Sequence, residues 1–141
     1  MKRLIVLSIS ALVLVGLSSA VSAEKMSIGQ AEYQNNCAAC HGANGKGGGQ
    51  FSEFLKAGTP SLTTLSKNNG GVFPFERVYQ MIDGRGEVKS HGSREMPIWG
   101  QQYTAGAVKS HGPFFGEWYS ENIVNARILS LIDYLNKMQD K

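Results

Sequence analysis

The chain has 141 residues, a formal net charge of +3 and only two cysteines. This length suits one compact domain and leaves no room for a second. The fourteen basic residues form no block that would give an electrostatic footprint for nucleic acid, so we expect no nucleic-acid partner.

The first 23 residues have the pattern of a cleaved export signal. Lys2 and Arg3 precede an apolar run over 4–17, and a small-residue cleavage site ends at Ala23. The run is shorter than the roughly 18 apolar residues of a spanning helix, although an uncleaved N-terminal anchor is the alternative. We predict a signal peptide at 1–23 and a single periplasmic domain at 24–141, with no membrane span and a formal charge near neutral.

A helix is predicted directly after the signal. Ser27 and Gln30, three residues apart, form the pattern of an N-terminal capping box, so a helix should run from residue 28 to about 37. Gly29 and Tyr33 would then share one face with the first cysteine, because they are four residues apart. That face should turn toward the core.

Cys37, Cys40 and His41 form a C-x-x-C-H motif. A thioredoxin-like redox pair would follow a strand, and only a helical pattern precedes Cys37. A structural zinc site needs about four ligands, and the histidines at 41, 91 and 111 are scattered. We therefore predict one covalent haem c, held by thioether bonds from both cysteines, with His41 as an axial iron ligand.

The glycine-rich run after His41 lacks the spacing of a phosphate-binding loop and is expected to be a surface loop with positive φ angles.

Two later helices are also predicted. One begins near Pro74 and stops at Gly84. The last carries an apolar stripe at helical spacing, made by Val124, Ile128, Leu131, Leu135 and Met138.

The second axial ligand is less clear from the residues alone. Met96 lies in GSREMPIWG, where Pro97 prevents a helix and favours an extended loop that presents the thioether. A thioether opposite histidine raises the reduction potential. His91 and His111, each in a copy of VKSHG, are the alternatives and would give a lower-potential bis-histidine site. The other methionines considered, Met26, Met81 and Met138, are expected to pack or to lie too close to the attachment site.

With CAACHG, TPSL at 59–62 and MPIWG at 96–100, the chain resembles the bacterial class I c-type cytochromes, from about residue 27 to 138. The resemblance implies an all-α fold, a few helices wrapped around one covalent haem, with His41 and Met96 as the two axial ligands. It also implies that the carbonyl of Pro60 accepts a hydrogen bond from the other ring nitrogen of His41.

The same resemblance implies that the first helix crosses the last, with Gly29 and Tyr33 against Leu131 and Tyr134. The segment 101–119 looks like an insertion. Its aromatic residues, Phe114, Phe115, Trp118 and Tyr119, are expected to cover the core or the haem edge. Weak candidates for donors to the haem carboxylates are Arg85, Arg94 and Trp99.

These expectations define an exported monohaem cytochrome that carries single electrons between a redox protein donor and acceptor by outer-sphere transfer. On this interpretation the protein is not an enzyme. The alternative is a haem subunit of a periplasmic oxidoreductase that acts on a small substrate.

Overall fold

Helical segments make up the regular structure of the described part of the chain. The computed structural model describes residues 25–55, 58–85, 96–112 and 117–141, and within these ranges it contains no strand. The five helices are α1 (Ile28–Asn36), α2 (Ala38–His41), α3 (Phe75–Asp83), α4 (Trp99–His111) and α5 (Glu117–Lys137). Two 3-10 turns lie at Ser52–Phe54 and Lys67–Asn69. The all-α prediction is confirmed, whereas the predicted signal at 1–23 lies outside the described residues.

The predicted ends of α1 and α3 agree closely with the structure. The Ser27 hydroxyl accepts a hydrogen bond of 3.1 Å from the N–H of Gln30 and so caps α1. Pro74 precedes the first turn of α3, and Gly84 ends that helix with a φ of 64°. A left-handed residue at this position suits glycine, which has no Cβ to clash.

The core forms where α5 packs against α1, α3 and α4. The stripe predicted for the last helix is buried along α5 and packs with Tyr33 of α1 and with Val78 and Ile82 of α3. Met138 lies one residue past the end of α5 and packs against the edge of this core.

The crossing of α1 and α5 is confirmed as a close helix–helix contact. A Cβ built on Gly29 would overlap the backbone carbonyl of Ser130 and would lie 3.0 Å from the Cβ of Tyr134. One turn further along, the rings of Tyr33 and Tyr134 pack at a centroid distance of 5.4 Å. Glycine is thus required at position 29 because the two backbones touch there.

Helix α4 was not expected, because 101–119 was interpreted only as an insertion. Its buried face is formed by Gly100, Tyr103 and Ala107, spaced three and four residues apart. Two of these residues, Gly100 and Ala107, are small. The helical period is therefore weak in the hydrophobicity of the sequence, although it is clear in the pattern of burial. Phe114 and Phe115 lie outside the described residues, as does the side chain of Trp118.

Within the ranges that the structure describes, none of the helices combines the length and the apolar character that crossing a lipid bilayer requires.

Candidate haem-binding site

The C-x-x-C-H motif occupies one helical turn at the end of α1. Cys37 ends α1 and begins α2: its N–H donates to the carbonyl of Tyr33 at 2.9 Å, and its own carbonyl accepts from the N–H of His41 at 2.9 Å. Cys37 is buried, and Cys40 and His41 are half-buried. The two thiols and the imidazole therefore lie on one turn, and these hydrogen bonds hold its backbone in place.

The orientation of His41 is set by the loop that carries Pro60. Its Nδ1 lies 3.3 Å from the carbonyl oxygen of Pro60. A carbonyl can only accept, so this hydrogen bond requires the ring proton on Nδ1 and leaves Nε2 as the nitrogen that is free to bind a metal. Burial lowers the pKa of His41, although the bond to Pro60 acts in the opposite direction. A neutral imidazole with its Nδ1 occupied is the form in which histidine binds iron.

The glycine-rich loop packs against α2, and its glycines have the predicted positive φ angles at Gly42, Gly45, Gly47 and Gly48. Gly47 donates its N–H to the carbonyl of His41 at 2.8 Å, and Gly49 donates to that of Cys40 at 3.0 Å. Gly47 has a φ of 85°, and a Cβ on Gly49 would lie 2.6 Å from the carbonyl carbon of Ala39. These bonds satisfy carbonyls that a short helix would otherwise leave without partners.

The Pro60 loop is itself held by residues that follow α5. Gln139 donates to the carbonyl of Leu62 at 2.7 Å and accepts from the N–H of Ser66 at 2.9 Å. Asp140 donates its N–H to the carbonyl of Thr63 at 2.8 Å and accepts from the hydroxyl of the same residue at 3.0 Å. The partner of His41 is therefore fixed by the far end of the chain, through contacts that no local motif indicates.

The chemistry of the thiols argues against a redox pair. Cys37 and Cys40 form no disulfide. Burial, followed by the nearby Glu32 carboxylate, raises the pKa of the Cys37 thiol to about 12. Disulfide oxidoreductases work through a cysteine of lowered pKa, so Cys37 has the opposite character.

Met96 lies in the segment between α3 and α4, three residues before α4 begins. Its side chain is half-buried and packs against the hydrophobic core, whereas the next residue, Pro97, is exposed. The structure thus places the Met96 side chain at the edge of the core. His91 lies outside the described residues, as does the side chain of His111, the last residue of α4.

Met26 and Met138, two of the other methionines, have surroundings that differ from those of Met96. Met26 is 55% exposed. Met138 lies over Gly45, whose carbonyl accepts from Leu62 in the loop beside His41. Met138 also packs against the edge of the hydrophobic core, which agrees with the packing role expected for it.

Arg85, one of the candidates for a donor to a haem carboxylate, is paired with two carboxylates of the protein. Its Nε donates to Asp83 at 2.7 Å and its Nη1 donates to Glu121. Arg85 thus links the end of α3 to α5, and its role toward a haem carboxylate stays a prediction. Arg94 lies outside the described residues, and Trp99 packs near the ring of Tyr103 at 6.1 Å.

The donor set fits a covalently attached haem. It has two free thiols on one turn and an imidazole with one nitrogen already bonded. In addition, Tyr103 is buried in the same core as Cys37, and its hydroxyl has no partner at full hydrogen-bond geometry among the described residues. Haem attachment uses thiols and an imidazole in this arrangement, so the residues present are compatible with the group.

An all-helical domain with these features belongs to the class of proteins that attach haem through a C-x-x-C-H motif. The sequence model of the Cytochrome c family matches residues 26–139. The match covers most of the chain, and the protein belongs to the cytochrome c family, whose cofactor is covalently attached haem c. Searches of curated proteins and of solved structures found no significant match.

Three further residues near the site, Glu32, Arg127 and Tyr103, were not identified from the sequence. Glu32 and Arg127 form a largely buried ion pair at 2.7 Å, and the Arg127 guanidinium carbon lies 4.3 Å from the centre of the Tyr103 ring. Glu32 and Arg127 are 95 residues apart in the chain, so no local pattern joins them. The four-residue spacing between Glu32 and Asn36, which donates to the carboxylate at 2.8 Å, was the only available signal.

Proposed function

We propose that this protein is an exported monohaem cytochrome that carries single electrons between a protein donor and a protein acceptor. Membership in the cytochrome c family supports the role of haem-based electron carrier and implies redox partners. The proposal adds the export, the attachment through Cys37 and Cys40, and axial ligation by His41 and Met96.

The observation that carries the proposal is the bond from His41 to the Pro60 carbonyl. It fixes the tautomer and the direction of the ring, so that Nε2 would be the nitrogen that binds iron. Met96 supports closed coordination, because its thioether is held against the core and can supply the second ligand. With His41 and Met96 as its two ligands, a bound iron would have no position left for a substrate, and the chemistry it would supply is outer-sphere electron transfer.

Each residue has a distinct part in this function. The thioethers of Cys37 and Cys40 would hold the cofactor to one turn of helix, so that it stays bound in both redox states. Haem supplies an iron that cycles between the ferrous and ferric states. The buried core around Met96 limits water at the site, and burial with the axial ligands sets the reduction potential.

Replacing Met96 with alanine tests the ligation. The oxidised native protein should show the red-edge charge-transfer band of methionine bound to iron. Met96→Ala should abolish that band, lower the reduction potential and let the ferrous protein bind carbon monoxide, because one axial position is then open. Absorption spectra and redox titration measure all three effects.

Met81→Ala and Met138→Ala are the matched controls, because each removes a thioether from a position assigned to packing. Both should lose some stability and keep the band. If Met96→Ala keeps the native spectrum while a histidine variant at His91 or His111 changes it, the bis-histidine alternative replaces this assignment. Rapid carbon monoxide binding by the native protein would instead support the oxidoreductase subunit.

A further inference from the structure

Three charged residues meet where α3, α4 and α5 come together, and they are called the ion cluster below. Asp83 is the last residue of α3, Arg85 follows it by two positions, and Glu121 lies in the second turn of α5. Arg85 donates through Nε to Asp83 at 2.7 Å and through Nη1 to Glu121. A single guanidinium therefore joins the end of α3 to the beginning of α5.

The ion cluster also lies directly against the start of α4. Gly100 is the second residue of that helix, and a Cβ built on it would overlap the Asp83 carboxylate and lie 2.6 Å from the Nε of Arg85. The Gly100 carbonyl accepts from the hydroxyl of Thr104 at 2.8 Å, which ties this part of the backbone to the helix. The first turn of α4 thus rests on the ion cluster with no space between them for a side chain.

Met96 depends on this turn because only three residues separate it from Gly100. One of the three is Pro97, whose ring fixes φ, so the connecting backbone has few ways to bend. The N–H of Gln102 donates to the carbonyl of Ile98 at 3.2 Å, so the helical hydrogen bonds begin within this connection. A displacement of Gly100 is therefore passed on to Met96.

Helix α3 has other contacts that keep it in place without the ion cluster. Val78 and Ile82 are buried in the core, and the hydroxyl of Tyr79 donates to Asn125 of α5 at 2.6 Å. The ion cluster itself is partly exposed to solvent, which weakens its contribution to the stability of the whole fold. Its loss is therefore expected to loosen the start of α4 and to leave the core packed.

We propose that the ion cluster holds Met96 in position to bind the haem iron, with Arg85 as the positioning residue. This role rests on the ligation proposed for Met96 and makes closed coordination depend on a charged contact between helices. When the contact is lost, the thioether spends more time away from the iron. Small external ligands then bind faster, although Met96 itself is unchanged.

The test measures the rate at which cyanide binds the ferric, haem-loaded protein. Arg85→Gln and Glu121→Gln should each raise this rate about 5–30-fold and weaken the methionine–iron band, because each removes the charged contact. The double variant should bind cyanide no faster than the faster single variant, because both substitutions remove the same interaction. Additive effects, or native rates in both single variants, would overturn the proposal.

Two control variants separate positioning from charge and from stability. Lys137→Gln removes a cation of α5 that donates to Asp133 at 2.6 Å in an exposed pair, and it should keep the native rate and band. Ile82→Val removes a methyl group from a side chain that is 3% exposed, so it should lower stability and keep the native rate. A rate in either control as high as that of Arg85→Gln would overturn the proposal.

The remaining outcomes distinguish this role from the other hypotheses. A lower or higher reduction potential in Arg85→Gln, with native cyanide rates in both single variants, would assign Arg85 to a haem carboxylate and overturn the proposal. A native protein without the methionine–iron band would refute the ligation by Met96 and, with it, the role of the ion cluster. A native band with unchanged variants would refute the role of the ion cluster alone.

Discussion

Replacing Gly29 with alanine tests the helix crossing on which the attachment turn is built. The added methyl would overlap the carbonyl oxygen of Ser130 and lie 2.6 Å from the carbonyl carbon. These are backbone atoms in α5, so they cannot rotate away, and α1 must shift. Overpacking of this kind costs about 1–3 kcal/mol, and the gain in helix propensity from glycine to alanine is at most about 1 kcal/mol.

We therefore expect Gly29→Ala to lower the free energy of unfolding by about 2 kcal/mol and the melting temperature by roughly 6–12 °C. Thermal and urea unfolding of the haem-loaded protein, followed by circular dichroism, measure both. Gly106→Ala is the matched control, because a Cβ there lies 3.9 Å from its nearest neighbour, Arg127. It should leave stability unchanged or raise it by up to about 1 kcal/mol. A Gly29→Ala protein as stable as the native one, with the control behaving as stated, would refute the reasoning.

Two further predictions concern Gly100, in the first turn of α4, and the buried phenol of Tyr33. A Cβ at Gly100 would lie 2.7 Å from the carbonyl oxygen of Asp83, so Gly100→Ala should cost about 1–3 kcal/mol and weaken the methionine–iron band by displacing the segment that carries Met96. A native melting curve with a native band would contradict it. Burial raises the pKa of Tyr33 to about 12, above the value near 10 of an unfolded chain, so the unfolded state releases its proton first and stability falls as pH rises from about 10 to 12. In unfolding experiments at alkaline pH, Tyr33→Phe should lose less stability over this pH range than the native protein does. An equal loss of stability in the two proteins would contradict the role given to Tyr33.

Local sequence patterns were sufficient wherever one helix or one turn decided the structure. The Ser27 cap, the stop at Gly84 and the stripe of the last helix could be predicted because each depends on neighbours within four residues. The His41–Pro60 bond spans 19 residues and could be predicted only through the resemblance. Its geometry agrees with that prediction.

The remaining parts of the site depend on distant residues. Helix α4 buries Gly100 and Ala107, which are too small to give a strong hydrophobic period. Tyr103 has the sequence context of an ordinary aromatic residue, and only the packing of the helices shows that it is buried in the same core as Cys37. The pairing of Arg85 with Glu121 could not be predicted either, because it joins residues 36 positions apart.

The contact between Thr63 and Asp140 also has a consequence in time. The two residues are 77 positions apart, so at synthesis rates of about 5–20 residues per second, roughly 4–15 s separate the appearance of the loop from that of the segment that holds it. During this interval the chain carries both thiols and the imidazole without the support that orients the ring. The loop beside His41 therefore cannot take its final form until the last residues of the chain are present.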